Sequence, residues 1–415
     1  FGSVVASSER EVASVVQVRW EGGTSADGKT AAAYNSSTRG TNKLYFPSLA
    51  ARPGKQFSRI TIQSAAQPST SQTADITIRY YSRDGTLNAT FTDTLFLGAQ
   101  QTYDLSLTDQ DPNDKVPDNL PPFTVDGWLG AAIVESNSPI VGTTSMHWQD
   151  YSAAYTAPTG GGTKIYLPSG TRRKPLQRPG FEPWLQYTSI IVQNLDAAAT
   201  ANVKLTWFDR LGNTLHVFTD TIPANASHGY NTRFTGSNVP DHTALHTALT
   251  DDWNGSLAIE SLAPGAEIIA IANLQWTEDH PTKAAASTYA SEAAGYTRLF
   301  APAAYRRGAG VNWAQYTGLI VQNIGQGACN NFAVQWRDRN NVKVLEYADT
   351  LPVNIAHGYN TRFGADVPVT SDVADLTGDF LGSVYIDAPG CSLIGIHNTV
   401  WPAWTDGTTY NTVGQ

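Results

Sequence analysis

The chain has 415 residues, 41% of them hydrophobic, which is enough for roughly two to four domains with cores of their own and excludes a disordered chain. Its formal charge of −9, without a basic run, repels a phosphate backbone or an anionic membrane surface, and no run of about 18 apolar residues is present to span a bilayer. Only 15% of residues are charged while 10% are aromatic, the balance of extracellular β-proteins that use few ion pairs.

The chain opens without a charged-then-apolar leader, so a secreted form is expected to be the processed one. Residues 1–20 read as two strands, Gly2 to Glu9 and Val12 to Trp20. Val4, Val5, Val12, Val15, Val16, Val18 and Trp20 make this hairpin too apolar to stay exposed and too small to stand alone. It is an orphan that must bury against another subunit, the same chain, or a severed upstream part of its own domain. Residues 21–43, rich in small and polar types, read as a linker.

Residues 44–148 alternate apolar and polar side chains in short runs: Leu44 to Phe46, Ser58 to Gln63, Asp75 to Tyr81, Thr86 to Phe96, Thr102 to Leu107, Gly130 to Glu135 and Ile140 to Trp148. Arg83-Asp84-Gly85, Gly98-Ala99-Gln100 and Asn137-Ser138-Pro139 supply the turns. A loop with Asp109, Asp111, Asn113 and Asp114 clusters oxygen ligands as a calcium loop does, although a solvated acidic loop has the same composition. Calcium is the one cofactor the sequence suggests.

After a linker at 149–164, residues 165–276 repeat this plan, and after another at 277–298, residues 299–404 repeat it again, with 405–415 as a tail. Gln186-Tyr187-Thr188 through Asn194 returns as Gln315-Tyr316-Thr317 through Asn323. Trp207-Phe208-Asp209-Arg210 returns as Trp336-Arg337-Asp338-Arg339, and Asp220-Thr221-Ile222-Pro223 as Asp349-Thr350-Leu351-Pro352. Each copy closes with a Gly, a hairpin and a Trp: Gly130 to Trp148, Gly255 to Trp276, Gly382 to Trp401. The orphan hairpin matches that ending. About seven antiparallel strands per copy predict an all-β chain of three tandem Ig-like antiparallel β-sandwich domains plus the hairpin. Trp207, Trp336 and Tyr80 are expected to fill the gap between sheets.

His228 to Phe234 recurs identically as His357 to Phe363. His228, Tyr230, Asn231, Arg233 and their equivalents His357, Tyr359, Asn360 and Arg362 are candidates for holding a sugar, a carboxylate or a neighbouring subunit; a structural turn and strand is the competing reading. No carboxylate or nucleophile stands beside the histidine in sequence, which argues against general-base catalysis and, with no catalytic motif elsewhere, against an enzyme. Cys329 and Cys391 are a candidate disulfide. Asn35, Asn88, Asn225 and Asn254 begin N-x-Ser/Thr patterns that would carry sugar on exposed loops. Arg172-Arg173, Arg306-Arg307 and Arg52 follow the opening strands, either to meet a neighbour's acidic loop or as a solvated edge.

The repeats resemble the tandem Ig-like sandwich modules of bacterial and archaeal cell-surface proteins, and the orphan hairpin resembles the donor segment of strand-complemented pili. The resemblance implies an extracellular homopolymer assembled by strand complementation, a filament, sheath or surface layer. The alternative is a monomeric adhesin or carbohydrate-binding protein whose partners are surface glycans.

Overall fold

The computed structural model describes residues 12–21, 29–37, 39–65, 73–107, 115, 127–148, 151–174, 186–233, 235–276, 285–308, 315–361, 364–365, 376, 379–401 and 406–415. Strands β1 (Val15–Glu21) and β2 (Lys29–Asn35) come first. The first repeat then carries β3 (Thr41–Arg52), β4 (Gln56–Ser64), β5 (Thr73–Ser82), β6 (Leu87–Phe96), β7 (Gln100–Asp104), β8 (Trp128–Trp148) and β9 (Ser152–Thr156). The second has β10 (Lys164–Arg173), β11 (Gln186–Asn194), β12 (Ala201–Asp209), β13 (Thr214–Ile222), β14 (Ser227–Asn231), α1 (His242–Leu249), β15 (Asp252–Ser261), β16 (Ile268–Trp276) and β17 (Ala285–Ala290). The third has β18 (Arg298–Arg307), β19 (Gln315–Asn323), β20 (Cys329–Asp338), β21 (Lys343–Leu351), β22 (Ala356–Asn360), β23 (Gly364–Ala365), β24 (Phe380–Asp387), β25 (Leu393–Trp401), β26 (Asp406–Asn411) and β27 (Val413–Gly414).

The chain is all-β with antiparallel pairing throughout, apart from α1 and a single 3-10 turn among the described residues. In the second repeat β13-β12-β15-β10 form one layer and β14-β11-β16-β17 the other, joined at a corner where Arg172 pairs with Tyr187. The third repeat uses β21-β20-β24-β18 and β22-β19-β25-β26 in the same order. In the first, β8 serves both layers: it runs antiparallel to β3 in one half and to β4 in the other, and β3 and β4 are themselves antiparallel, so β8 reverses at residues 136–139.

The eighth strand of each repeat corrects the sequence reading. The segments read as linkers carry β2, β9, β17 and β26, and β1 pairs with β2; residues 2–9 lie outside the described residues. Their small side chains reflect crowding, not looseness. Ala31, Ala32, Ala33, Ser152, Ala153, Ser287, Thr408 and Thr409 are all buried. β2 touches β9 and β26, and β17 touches β9 and β26, so the four strands close a ring. Asn35 Nδ2 donates to Asn411 O at 2.7 Å, Asn411 Nδ2 to Ala290 O at 2.8 Å, and Thr156 Oγ1 to Asn35 O.

Between the layers, Trp207, Trp336 and Tyr80 are fully buried. Each meets an aromatic ring edge-on: Trp253 at 5.5 Å, Phe380 at 6.1 Å and Trp128 at 6.2 Å. Two residues after that second ring stands the repeated glycine. A Cβ on Gly130, Gly255 or Gly382 would lie 2.0, 1.9 or 1.9 Å from the carbonyl oxygen of Tyr81, Phe208 or Arg337. Only a residue without Cβ lets these neighbouring strands approach. Gly255→Ala is expected to cost about 2–3 kcal/mol by forcing β12 and β15 apart, whereas Gly160→Ala, with nothing within 4 Å, should leave the denaturant midpoint unchanged. Equal midpoints for both variants would contradict this packing.

Helix α1 was not foreseen. Asp241 caps it, its carboxylate accepting from Ala244 N at 2.9 Å, and Leu245 and Leu249 bury one face. In the third repeat Cys329 and Cys391 are bonded, with Cα atoms 5.3 Å apart.

Candidate functional site: the interface between repeats

The His-Gly-Tyr-Asn-Thr-Arg-Phe segments lie largely on β14 and β22, and the carboxylate that sequence proximity failed to show is Asp220 or Asp349, at the end of the preceding strand. His228 Nδ1 lies 2.7 Å from Asp220 Oδ2, and the Tyr230 hydroxyl donates to the same oxygen at 2.8 Å. His357 and Tyr359 reach Asp349 at 2.7 and 2.5 Å. Burial works to raise these two carboxyls, but the hydrogen bonds from histidine and tyrosine outweigh it and hold both below the ordinary carboxylate value. β13 and β14 are the edge strands of opposite layers, so the triad clasps the open side of the sandwich. The first repeat keeps the clasp in another form: Tyr103 donates to Asp93 at 3.1 Å, and Lys115 Nζ lies 3.1 Å from the same carboxylate.

These side chains do not converge on an open surface. Tyr230 and Tyr359 are fully buried. Asn231 Oδ1 accepts from Arg233 N at 2.7 Å, and Arg233 stacks 4.8 Å over Tyr187. Asn360 pairs with Gly318 across the sheet, and Arg362 lies outside the described residues.

Asp109, Asp111, Asn113 and Asp114 lie outside the described residues, among which no group of three or more His, Cys, Asp or Glu could hold a metal. Asn35, Asn88, Asn225 and Asn254 are half-buried rather than displayed on open loops, and Asn88 Oδ1 accepts from Ser82 Oγ at 2.6 Å and Trp128 Nε1 at 2.9 Å. The arginine pairs serve their own repeats: Arg172 Nε donates to Thr232 O at 3.1 Å, Arg306 Nε to Thr361 O at 2.9 Å, and Arg173 pairs with Asp252 at 2.7 Å.

Of the hairpin residues, Val4 and Val5 lie outside the described residues, and of the Trp20 side chain nothing is described. Val15 and Val18 are half-buried, while Val12 and Val16 are 53% and 37% exposed. Strand β2, the partner of β1, is buried in the ring of its own chain, and Tyr305 of the third repeat donates to Gln17 Oε1 at 3.3 Å.

What recurs with function-like regularity is a contact from each repeat to the next. Tyr45, Tyr81 and Ile133, on the outer face of one layer of the first repeat, bury against Leu195 and Ile269 of the second. Tyr166, Phe208 and Ala258 of the second bury in the same way against Ile324 and Ile394 of the third. Beside each patch, the turn after the aromatic strand docks on the next repeat's turn. Ser227 N donates to Arg83 O at 3.0 Å, and Ala356 N donates to Arg210 O at 3.4 Å. Gly85 and Gly212 make these approaches at φ 89° and 79°, with Ala224 O and Ile355 Cγ1 against them. Gln322 Nε2 adds a buried bond to Ser256 Oγ at 2.8 Å across the second interface. Sequence reading found the Trp-Phe-Asp-Arg and Asp-Thr-Ile-Pro motifs but not that the turns following them meet between neighbours.

The fold and this site define an all-β sandwich-repeat protein. No protein family and no curated protein matches the chain. Among solved structures it is similar to one chain of several, described as the crystal structure of Thermotoga maritima 1070, at 17% identity over 29% of this chain and 94% of that one, with a TM-score of 0.22.

Proposed function

We propose that this chain is a non-catalytic structural component of an extracellular assembly. The observation that carries the reading is the repeat-to-repeat contact, made twice with equivalent residues, so that the sandwich is a self-docking module. The Cys329–Cys391 bond agrees with an oxidising compartment outside the cell. Strand complementation is the assembly mode, with one restriction. Each of the three sandwiches holds its own last strands, so only a sandwich lacking them can accept β1 and β2.

Negative-stain electron microscopy of the secreted chain tests this. Filaments or lattices are expected from the intact chain secreted together with the sandwich that accepts β1 and β2, and dispersed particles when the chain lacks residues 1–35. Dispersed particles from both would contradict it.

A second reading, a glycan-binding surface protein, draws on a cavity of about 580 Å³ at the ring, lined by Tyr34, Arg39, Thr156, Glu292, Tyr296 and Asn411. Burial pushes the Glu292 carboxyl up to about 7 although Asn411 and Tyr296 hydrogen-bond to it. Saturation-transfer NMR with soluble oligosaccharides would favour this reading if transfer vanished in Glu292→Ala, and would sink it if no sugar showed transfer.

A further inference from the structure

We infer that the flank beside β1 and β2 is the docking site for one further sandwich of this repeat, one that comes without its own last two strands; this rests on the assembly reading above. The strand ring has four places. Three are backed by whole sandwiches, while at the fourth the described residues, β1 and β2, supply the counterparts of β16 and β17.

Uncovered halves of the repeat interface stand on both sides of that place. On the third repeat, Phe300, Arg337 and Tyr385 occupy the positions of Tyr166, Phe208 and Ala258. The Phe300 and Tyr385 rings, 5.0 Å apart, are half-exposed where their counterparts are buried. Arg339 and Asn341, at the positions of Arg210 and Gly212, are exposed. On the first repeat, Ala99 and Gln100 take the positions of Ala226 and Ser227 and are half-buried where their counterparts are fully buried. The turns already have the docking shape: Asn341 has φ 64° against 79° at Gly212, and Gly98 has 70° against 58° at Asn225.

The occupant must bring an aliphatic pair like Leu195 and Ile269 to cover Phe300 and Tyr385, a turn like that of Arg83 to Gly85 to cover Ala99 and Gln100, and a slot for β1. A second copy of this chain does not qualify. Its sandwiches hold β8, β16 and β25 already, and its own inner strand would fall where β2 lies.

The test joins residues 163–262, the second repeat without β16 and β17, ahead of Phe1 of the full chain through a flexible Gly-Ser linker. Hydroxyl-radical footprinting is the readout. Oxidation of Phe300 and Tyr385 is expected to fall about tenfold relative to the unfused chain, as for side chains taken into a water-excluded interface, and the added segment should resist trypsin. Arg339→Glu, at an exposed position, should reverse both effects. Unchanged oxidation with the added segment digested overturns the inference. So does the same protection in an unfused chain that dimerises, which would assign the flank to a second copy. Because footprinting reads single particles, failure here and absence of filaments are separate results.

Discussion

Replacing Cys329 and Cys391 together by alanine is expected to destabilise the third repeat by about 4 kcal/mol. The bond closes a loop of 62 residues, and loops of that size remove about this much chain entropy from the unfolded state. It also ties the start of β20 to the turn before β25, across the two layers, beside the buried Phe332 and Leu351. Calorimetry should show one transition moving down while that of the first two repeats stays in place, and dithiothreitol should reproduce the shift in the unmutated protein. A thermogram indifferent to both would mean that packing alone holds this repeat.

The second large effect is acid sensitivity traceable to one residue. His397 lies on β25, fully buried, stacked 4.6 Å from Tyr410, with no hydrogen-bond partner for either ring nitrogen. Burial lowers it from 6.5 to about 3. Below pH 6.5 the unfolded chain therefore takes up a proton that the folded chain refuses. The stability this ring contributes is complete above 6.5 and drains away as pH falls towards 3. At 1.36 kcal/mol per unit, the loss between pH 6.5 and 4.5 is about 3 kcal/mol. Glu292 opposes it: its carboxyl is raised from 4.5 to about 7, so its contribution is present below 4.5 and is lost as pH rises through 7. Comparing variants isolates the histidine. His397→Ala, which installs the residue found at the equivalent Ala272, should lose about 3 kcal/mol less than the unmutated chain over that interval in urea titrations. Parallel pH profiles would show that the ring finds a proton-accepting or solvated setting.

Period-two alternation in Ser58 to Gln63 and Asp75 to Tyr81 gave the strands because each has one face on a core, and repetition of Trp207 in Trp336 gave the interior. The fourth hairpin strand was hidden by its chemistry. Ala-Ala-Tyr-Asn at 32–35, Ala-Ala-Tyr-Thr at 153–156, Ser-Thr-Tyr-Ala at 287–290 and Thr-Thr-Tyr-Asn at 408–411 have the composition of linkers, since strands packed on both sides at a crowded ring favour small side chains at every place but the tyrosine. Their shared tyrosine was the available signal. Asp220 escaped notice as the partner of His228 because a turn, not adjacency, brings them together. The interface was illegible for a related reason: Tyr81 and Ile269 look like ordinary strand residues until a neighbour covers them. α1 was missed although Asp241 and the Leu245 and Leu249 spacing announce it.

The central claim is that the hairpin belongs to the same strand ring as the three sandwiches. Hydrogen exchange of the β2 amides, Lys29–Asn35, tests it most directly. The ring predicts that Ala31 and Ala33 are protected to within about tenfold of their equivalents in β9, β17 and β26. Exchange of β2 at the rate of an unstructured peptide, beside protected β9 and β26, would contradict it.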